Sequence, residues 1–192
     1  MAIKTYVSST TLSASDMNTY SANSGLVYIT EVVATSGTTL SVNSCFTSTY
    51  SNYLIQVEGL PTAPSYGVTM RLRASLTDTT TGYYWGVTRV DIGAGTISVD
   101  KGNNDSYLFT GAIANSSGRC ASTIQVIAPQ VAQYTSIMCQ STDSRGATGY
   151  AAITGAGQLL NTTQYDGFSL LWGGGTGTIS YLRARVYGYR QA

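Results

Sequence analysis

The sequence predicts an all-β chain: an antiparallel β-sandwich, jelly-roll-like, with a short N-terminal helical arm. Three observations carry this. Thr, Val and Tyr are abundant, with 15 Tyr in 192 residues, and these side chains suit a pleated, half-buried surface. From Leu26 onward, short alternating segments recur with turn residues between them and no helical pattern intervening, which is the spacing of sandwiches and jelly rolls. Hydrophobic residues make up 43% of the chain, enough to fill one sizeable core, and no repeat or linker divides residues 26–192.

Residues 1–25 differ from the rest. In "TLSASDMNTYSANSGL", Ser13 or Ser15 can cap a helix, Asp16 falls in its first turn and Gly25 can stop the segment. One or two turns are expected over about residues 14–23. Their apolar surface is limited to Leu12, Met17, Tyr20 and Ala22, too little for an isolated helix. The arm is therefore expected to lie against the body, sister chains or another protein.

The body follows as strand candidates: "LVYITEVVA", "TTLSVNSCF", "NYLIQVEGL", "VTMRLRASL", "YYWGVTRVDI", "GTISVD", "SYLFTGAIA", "ASTIQVIAP", "YTSIMCQST", "YAAITGA", "GFSLLW" and "TISYLRARVYGYR". The breaks are "SG", "PTAP", "DTTTG", "GAG", "GNND", "NSSG", "DSRG", a second "GAG" and "GGGTG". In the closing segment Leu182, Ala184, Val186 and Gly188 share one face. Tyr181, Arg183, Arg185, Tyr187 and Tyr189 share the other, the period of a half-buried strand. That second face must meet water or another chain.

Charged residues are only 10% of the sequence, against roughly 25% in an ordinary soluble domain. Low charge with many Tyr fits surfaces that meet protein surfaces. The net charge is +1, and Arg71/Arg73 and Arg183/Arg185 are the only basic pairs, so nucleic-acid binding is not expected. There is no His, and Cys45, Cys120 and Cys139 form no CxxC pair. No zinc site is expected, and the thiols read as small buried side chains. No export signal and no membrane span are expected.

Three segments carry a resemblance. "TLSASDMNTY" is similar to a "T-x-L-T-A-S-D-x-N-T-Y" element near the start of tailed-bacteriophage virion proteins. "FTSTYSNYLIQVEGL" resembles their "F-x-x-x-Y-x-N-Y-x-I-x-V" strand at Phe46, Tyr50, Asn52, Tyr53, Ile55 and Val57. "GFSLLWGGGTGTISYLRARVYGYR" resembles their "G-T-I … R-V-Y-G-Y-R" ending, with Tyr181 where a small residue is usual. These cover the first sixty and last thirty residues; about 75–160 carries no match. The resemblance implies a structural protein on the exterior of a phage particle: a tail fibre, tail tip, knob or capsid-decoration protein, assembled in the host cytoplasm. It also implies a homotrimer of β-sandwich bodies that docks to other virion proteins by its N-terminal element. The expected assembly and docking residues are Leu12, Asp16, Met17 and Tyr20 in the arm, with Arg183, Arg185 and Tyr187 on the last strand.

Catalysis is hard to build without His, since Ser/His and Cys/His arrangements are excluded. Carboxylate pairs remain possible, but Asp91, Asp100 and Asp105 fall near expected turns, where Asp forms turns. No enzyme activity and no cofactor are expected. "DKGNND", Asp100 to Asp105, offers closely spaced oxygens for calcium but reads as a hairpin turn. The glycines of "GGGTG" are followed by a strand, which argues against phosphate binding. The rival function is lectin-like recognition of a host surface glycan. In "TGYYWGVTR", Tyr83 and Trp85 share a strand face and can stack on a pyranose ring if exposed; core aromatics are the alternative.

Overall fold

The computed structural model describes residues 25–62, 66–114, 118–144 and 150–190. The expected arm helix, with Leu12, Asp16, Met17 and Tyr20, lies outside them. Thirteen strands form: β1 (Leu26–Ala34), β2 (Thr39–Val42), β3 (Tyr50–Pro61), β4 (Tyr66–Ala74), β5 (Thr77–Asp78), β6 (Tyr83–Asp91), β7 (Ile97–Asp105), β8 (Leu108–Ala114), β9 (Cys120–Ile127), β10 (Thr135–Ser144), β11 (Tyr150–Leu159), β12 (Gly167–Trp172) and β13 (Ile179–Arg190). The chain is all-β and sandwich-like. A single three-residue 3-10 turn, Gly173–Gly175, interrupts the strands among the described residues.

Pairing is nested. β6 pairs with β7, β4 with β8, β3 with β9 and β2 with β12, all antiparallel. Each pair encloses the previous one along the chain, and successive pairs fall in alternate layers. The large layer runs β1-β13-β3-β9-β10-β11-β6-β7 and the small one β8-β4-β12-β2. The β10–β11 hairpin is inserted between β9 and β6. The layers join where Asp143 and Ser144 of β10 pair in parallel with Ile113 and Ala114 of β8.

One apolar cluster fills the space between the layers. Ile55, Ile124 and Leu182 come from the large layer; Met70, Leu170 and Trp172 come from the small one. The Trp172 indole needs Gly59 opposite it, because a Cβ there would lie 2.7 Å from the ring and 2.9 Å from Leu182. A smaller cluster, Val87, Ala151 and Ile153, packs against Trp85, Phe109 and Ile113. All three cysteines are buried free thiols, and burial pushes Cys45 and Cys120 up to about 12 and Cys139 up to about 11.

The last strand alternates as its sequence requires. Leu182, Ala184, Val186 and Gly188 are buried, while Tyr181, Arg183, Arg185 and Tyr187 are partly exposed. β13 is an interior strand, flanked by β1 and β3.

Two expected turns are strands instead. "GNND" (102–105) pairs with β6 around a register shift between Tyr83 and Trp85, with Asn104 at φ 60 absorbing the irregularity. The second "GAG" (155–157) lies inside β11. There a Cβ on Gly155 would meet the Val87 side chain at 2.5 Å, and one on Gly157 would meet the Tyr84 carbonyl at 2.6 Å. These glycines serve close strand packing rather than chain reversal.

Tyr83 ties the layers together. Its ring is fully buried, and its hydroxyl accepts the Leu72 N–H at 2.7 Å and donates to the Thr79 carbonyl at 3.2 Å. Tyr83→Phe keeps the ring and leaves the buried Leu72 donor unpaired. Its expected cost is about 1–3 kcal/mol, read as a lower chemical-denaturation midpoint with unchanged denaturant slope.

Candidate interaction surfaces

Pairing register fixes which side chains share the outer face of the large layer. On β13, Arg183 lies opposite Glu58 of β3 and Arg185 lies opposite Glu31 of β1. Both pairs are hydrogen-bonded ion pairs. Arg119 joins Glu58 from the other side, and its guanidinium stands 4.4 Å from the centroid of the Tyr181 ring. Tyr181, at the position where the phage pattern has a small residue, thus serves as a platform for an arginine. The Arg119 hydrogen bond, backed by Arg183, holds the Glu58 carboxyl below its usual range. Tyr187 meets Tyr28 edge-on at 5.8 Å. Each of these five charges has a partner in its own chain, and such partly exposed pairs contribute little stability.

The other half of the face is different. By register, Thr123 and Gln125 of β9, Met138 and Gln140 of β10, Thr154 and Ala156 of β11, and Thr88 and Val90 of β6 share it with Ile97 and Val99 of β7. Met138 is 50% exposed, Ile97 70% and Val99 79%. Lys101 of β7 is the charged residue on this side of β6, β7, β10 and β11 by the same register. The outer face therefore divides into a charge-paired half and a partly apolar half that is neutral apart from Lys101.

The inner side of the β3–β13 pair brings together two of the strand segments singled out in the sequence. Tyr50, Tyr53, Ile55 and Val57 belong to one motif; Ala184, Val186 and Gly188 belong to the other. They pair in register as Tyr53↔Gly188, Ile55↔Val186 and Val57↔Ala184. The Tyr50 ring lies over Gly188, where a Cβ would overlap it. Tyr50 meets Tyr53 edge-on at 6.0 Å, and Tyr53 meets Phe46 at 4.6 Å. The Tyr53 hydroxyl accepts the Thr47 N–H and donates to the Thr47 carbonyl.

The remaining expected sites fall as follows. Tyr83 and Trp85 do share a strand face, but Tyr83 is in the core and offers no ring to solvent. Trp85 is half-buried, its indole N–H donating to Asp105 at 2.9 Å. Asp105 is thereby engaged, and the "DKGNND" oxygens are strung along an extended strand rather than gathered in a turn. No group of three or more His, Cys, Asp or Glu side chains converges among the described residues. Arg71 and Arg73 brace loops: Arg71 donates to the Ser106 carbonyl at 2.9 Å, and Arg73 binds Asp78, Ser41 and Ser169.

Sequence reasoning missed Asp143. Its carboxylate is fully buried at the seam between the layers, 2.8 Å from Arg89. Burial raises it to about 6; Arg89 opposes that and Asp91 adds to it.

The chain matches no known protein family and no curated protein. Among solved structures it is similar to part of the exo-inulinase of Aspergillus awamori, with 12% identity over 85% of this chain and 29% of that one, at a TM-score of 0.41. The fructosyltransferase of A. japonicus gives 9% identity over 92% and 28%, at 0.37. The VP2 subviral particle of infectious bursal disease virus gives 8% over 85% and 40%, at 0.13. The chain spans less than a third of the length of the two enzymes, and likenesses this weak carry no assignment.

Two predictions follow from this geometry. Gly188→Ala forces the Tyr50 ring aside and is expected to cost about 1–3 kcal/mol; Tyr50→Ala in the same chain should recover part of that loss in the same denaturation assay. A carboxyl raised by folding binds protons more tightly in the native state. The Asp143 contribution is thus greatest below about pH 4, its unfolded value, and is lost as pH rises through about 6. Melting temperature measured across that window should fall in the parent protein and lose that slope in Asp143→Asn.

Proposed function

We propose that this chain is a non-enzymatic structural protein on the exterior of a tailed-phage particle, a tail-fibre, tail-tip or capsid-decoration component. It docks to other virion proteins through residues 1–25, with Leu12, Asp16, Met17 and Tyr20 as the contact side chains. It assembles as a homotrimer through the outer face of its large layer. The observation that carries this reading is the β3–β13 pair. Two sequence motifs that resemble phage virion proteins, over a hundred residues apart, interlock as neighbouring strands through Tyr50 and Gly188.

The nested pairing supports it as well. Antiparallel pairs that enclose one another and alternate between layers make a jelly roll, an architecture found in viral capsid and lectin domains. The outer face supports the trimer on physical grounds. A cyclic trimer uses two different patches, each meeting the other on the next copy. This face offers two: the half carrying Arg183, Arg185 and Tyr187, and the neutral half around Met138 and Thr154. Interface cores are depleted in charge, and this half carries one charge, Lys101 at its β7 edge.

Light scattering on the purified full-length protein tests the assembly. The expected mass is three times that of the chain, falling to one in Thr154→Arg, which places a charge at the centre of the neutral half. If residues 26–192 alone still give the trimer, the contact lies in the body and the arm is left for docking. A single-chain mass for the unaltered full-length protein would overturn the trimer.

A further inference from the structure

We propose that the cleft lined by Trp85, Tyr107, Phe109, Asp100 and Thr69 is a binding site for a neutral saccharide. This site stands whether or not the chain belongs to a virion. The cleft measures about 290 Å³ and opens between β4, β6, β7 and the β7–β8 connection. Its three aromatic side chains are half-buried. They neither collapse into the core nor lie free on the surface.

Each ring is held in place by a glycine. A Cβ on Gly67 would overlap Phe109, one on Gly102 would overlap the Trp85 indole and the Asp105 carboxylate, and one on Gly174 would lie 2.6 Å from the Tyr107 ring. Trp85 is further fixed by its hydrogen bond to Asp105, and it meets Phe109 at 5.7 Å with the planes tilted by 58°. Rings positioned this way before a ligand arrives lose little freedom on binding.

The polar content selects the ligand class. Asp100 is exposed and lines the cleft, and a carboxylate accepts strong hydrogen bonds from hydroxyl groups. The Thr69 hydroxyl is buried and donates to the Leu171 carbonyl at 3.3 Å, so Asp100 is the acceptor open to a ligand. A pyranose presents C–H faces to aromatic rings and hydroxyls at its edge, which fits three rings beside one exposed carboxylate. Asp100 is the charged side chain lining the cleft, so anionic sugars are repelled.

The chain has two tryptophans, and Trp172 is fully buried. The Trp85 indole N–H resonance in ¹⁵N-labelled full-length protein is therefore a local reporter. The probes are trisaccharides of glucose, galactose, mannose and N-acetylglucosamine, with trigalacturonate as the anionic control and N-acetyltyrosinamide as the peptide-like control. Each is used at about 10 mM, tenfold above a millimolar dissociation constant. At least one neutral trisaccharide is expected to shift the Trp85 signal in a saturable way, with no response to trigalacturonate. Asp100→Asn, at an exposed position that the fold does not need, should weaken that binding about tenfold, the scale of one charged hydrogen bond. Tyr107→Leu should weaken it by several-fold. The proposal is overturned if no neutral trisaccharide shifts the signal, or if N-acetyltyrosinamide alone does so. It also fails if binding is the same in both variants.

Discussion

The large layer depends on one pairing: β3 against β13. These two twelve-residue strands lie side by side between β1 and β9, and their inward residues from Tyr53 to Pro61 are matched across the pair. The match leaves little freedom. Tyr50 needs the missing side chain at Gly188, and the Tyr50, Tyr53 and Phe46 rings then close that end of the core. At the other end Gly59 makes room both for Trp172 of the small layer and for Leu182. A one-residue slip would send Arg183 and Arg185 into that core and Leu182 and Val186 into solvent, so the register is strongly specified.

The same register places the charges. Because inward and outward side chains alternate strictly, Glu58 must meet Arg183 and Glu31 must meet Arg185 on the outside. Seven of the chain's few charged groups are spent on one another or on the seam, counting Arg119, Arg89 and Asp143 with these four. What remains on the outer face toward β7 is mainly Thr, Gln, Ala, Met, Ile and Val, with Tyr84 and the single charge of Lys101. Such a surface has little charge to keep identical chains apart, and the exposed edge of β7 with Ile97 and Val99 is the kind that other chains cover.

Much of this fold is legible in the sequence, and the misses have physical causes. Period-two alternation marks strands whatever their neighbours, so all twelve strand segments expected from the sequence occur; only the two-residue β5 was not anticipated. Alternation also puts Tyr83 and Trp85 on one face, but it does not say which face is inside, and the Leu72 backbone decides that for Tyr83. Glycine is ambiguous in the same way. In "GAG" at 93–95 it serves a turn, with Gly95 at φ 65, whereas at 155–157 it serves close approach inside a strand. Nesting of the strand pairs, the seam carboxylate Asp143 and the aromatic cleft depend on contacts between distant segments. Tyr107 and Phe109 carry no local sign that Gly174 and Gly67 will hold them beside Trp85.

In the proposed trimer a second copy of the chain covers the half of the outer face around Met138. Oxidative footprinting of Met138 in the intact oligomer tests it most directly, because this thioether is half-exposed in the single chain and sits in the middle of that half. Met70, fully buried in the core, serves as the protected reference. Met138 sulfoxide is expected to form as slowly as Met70 sulfoxide in the oligomer and to accelerate once the subunits are separated by dilution. Rapid oxidation of Met138 in an oligomer that stays intact would contradict the account and move the subunit contact elsewhere.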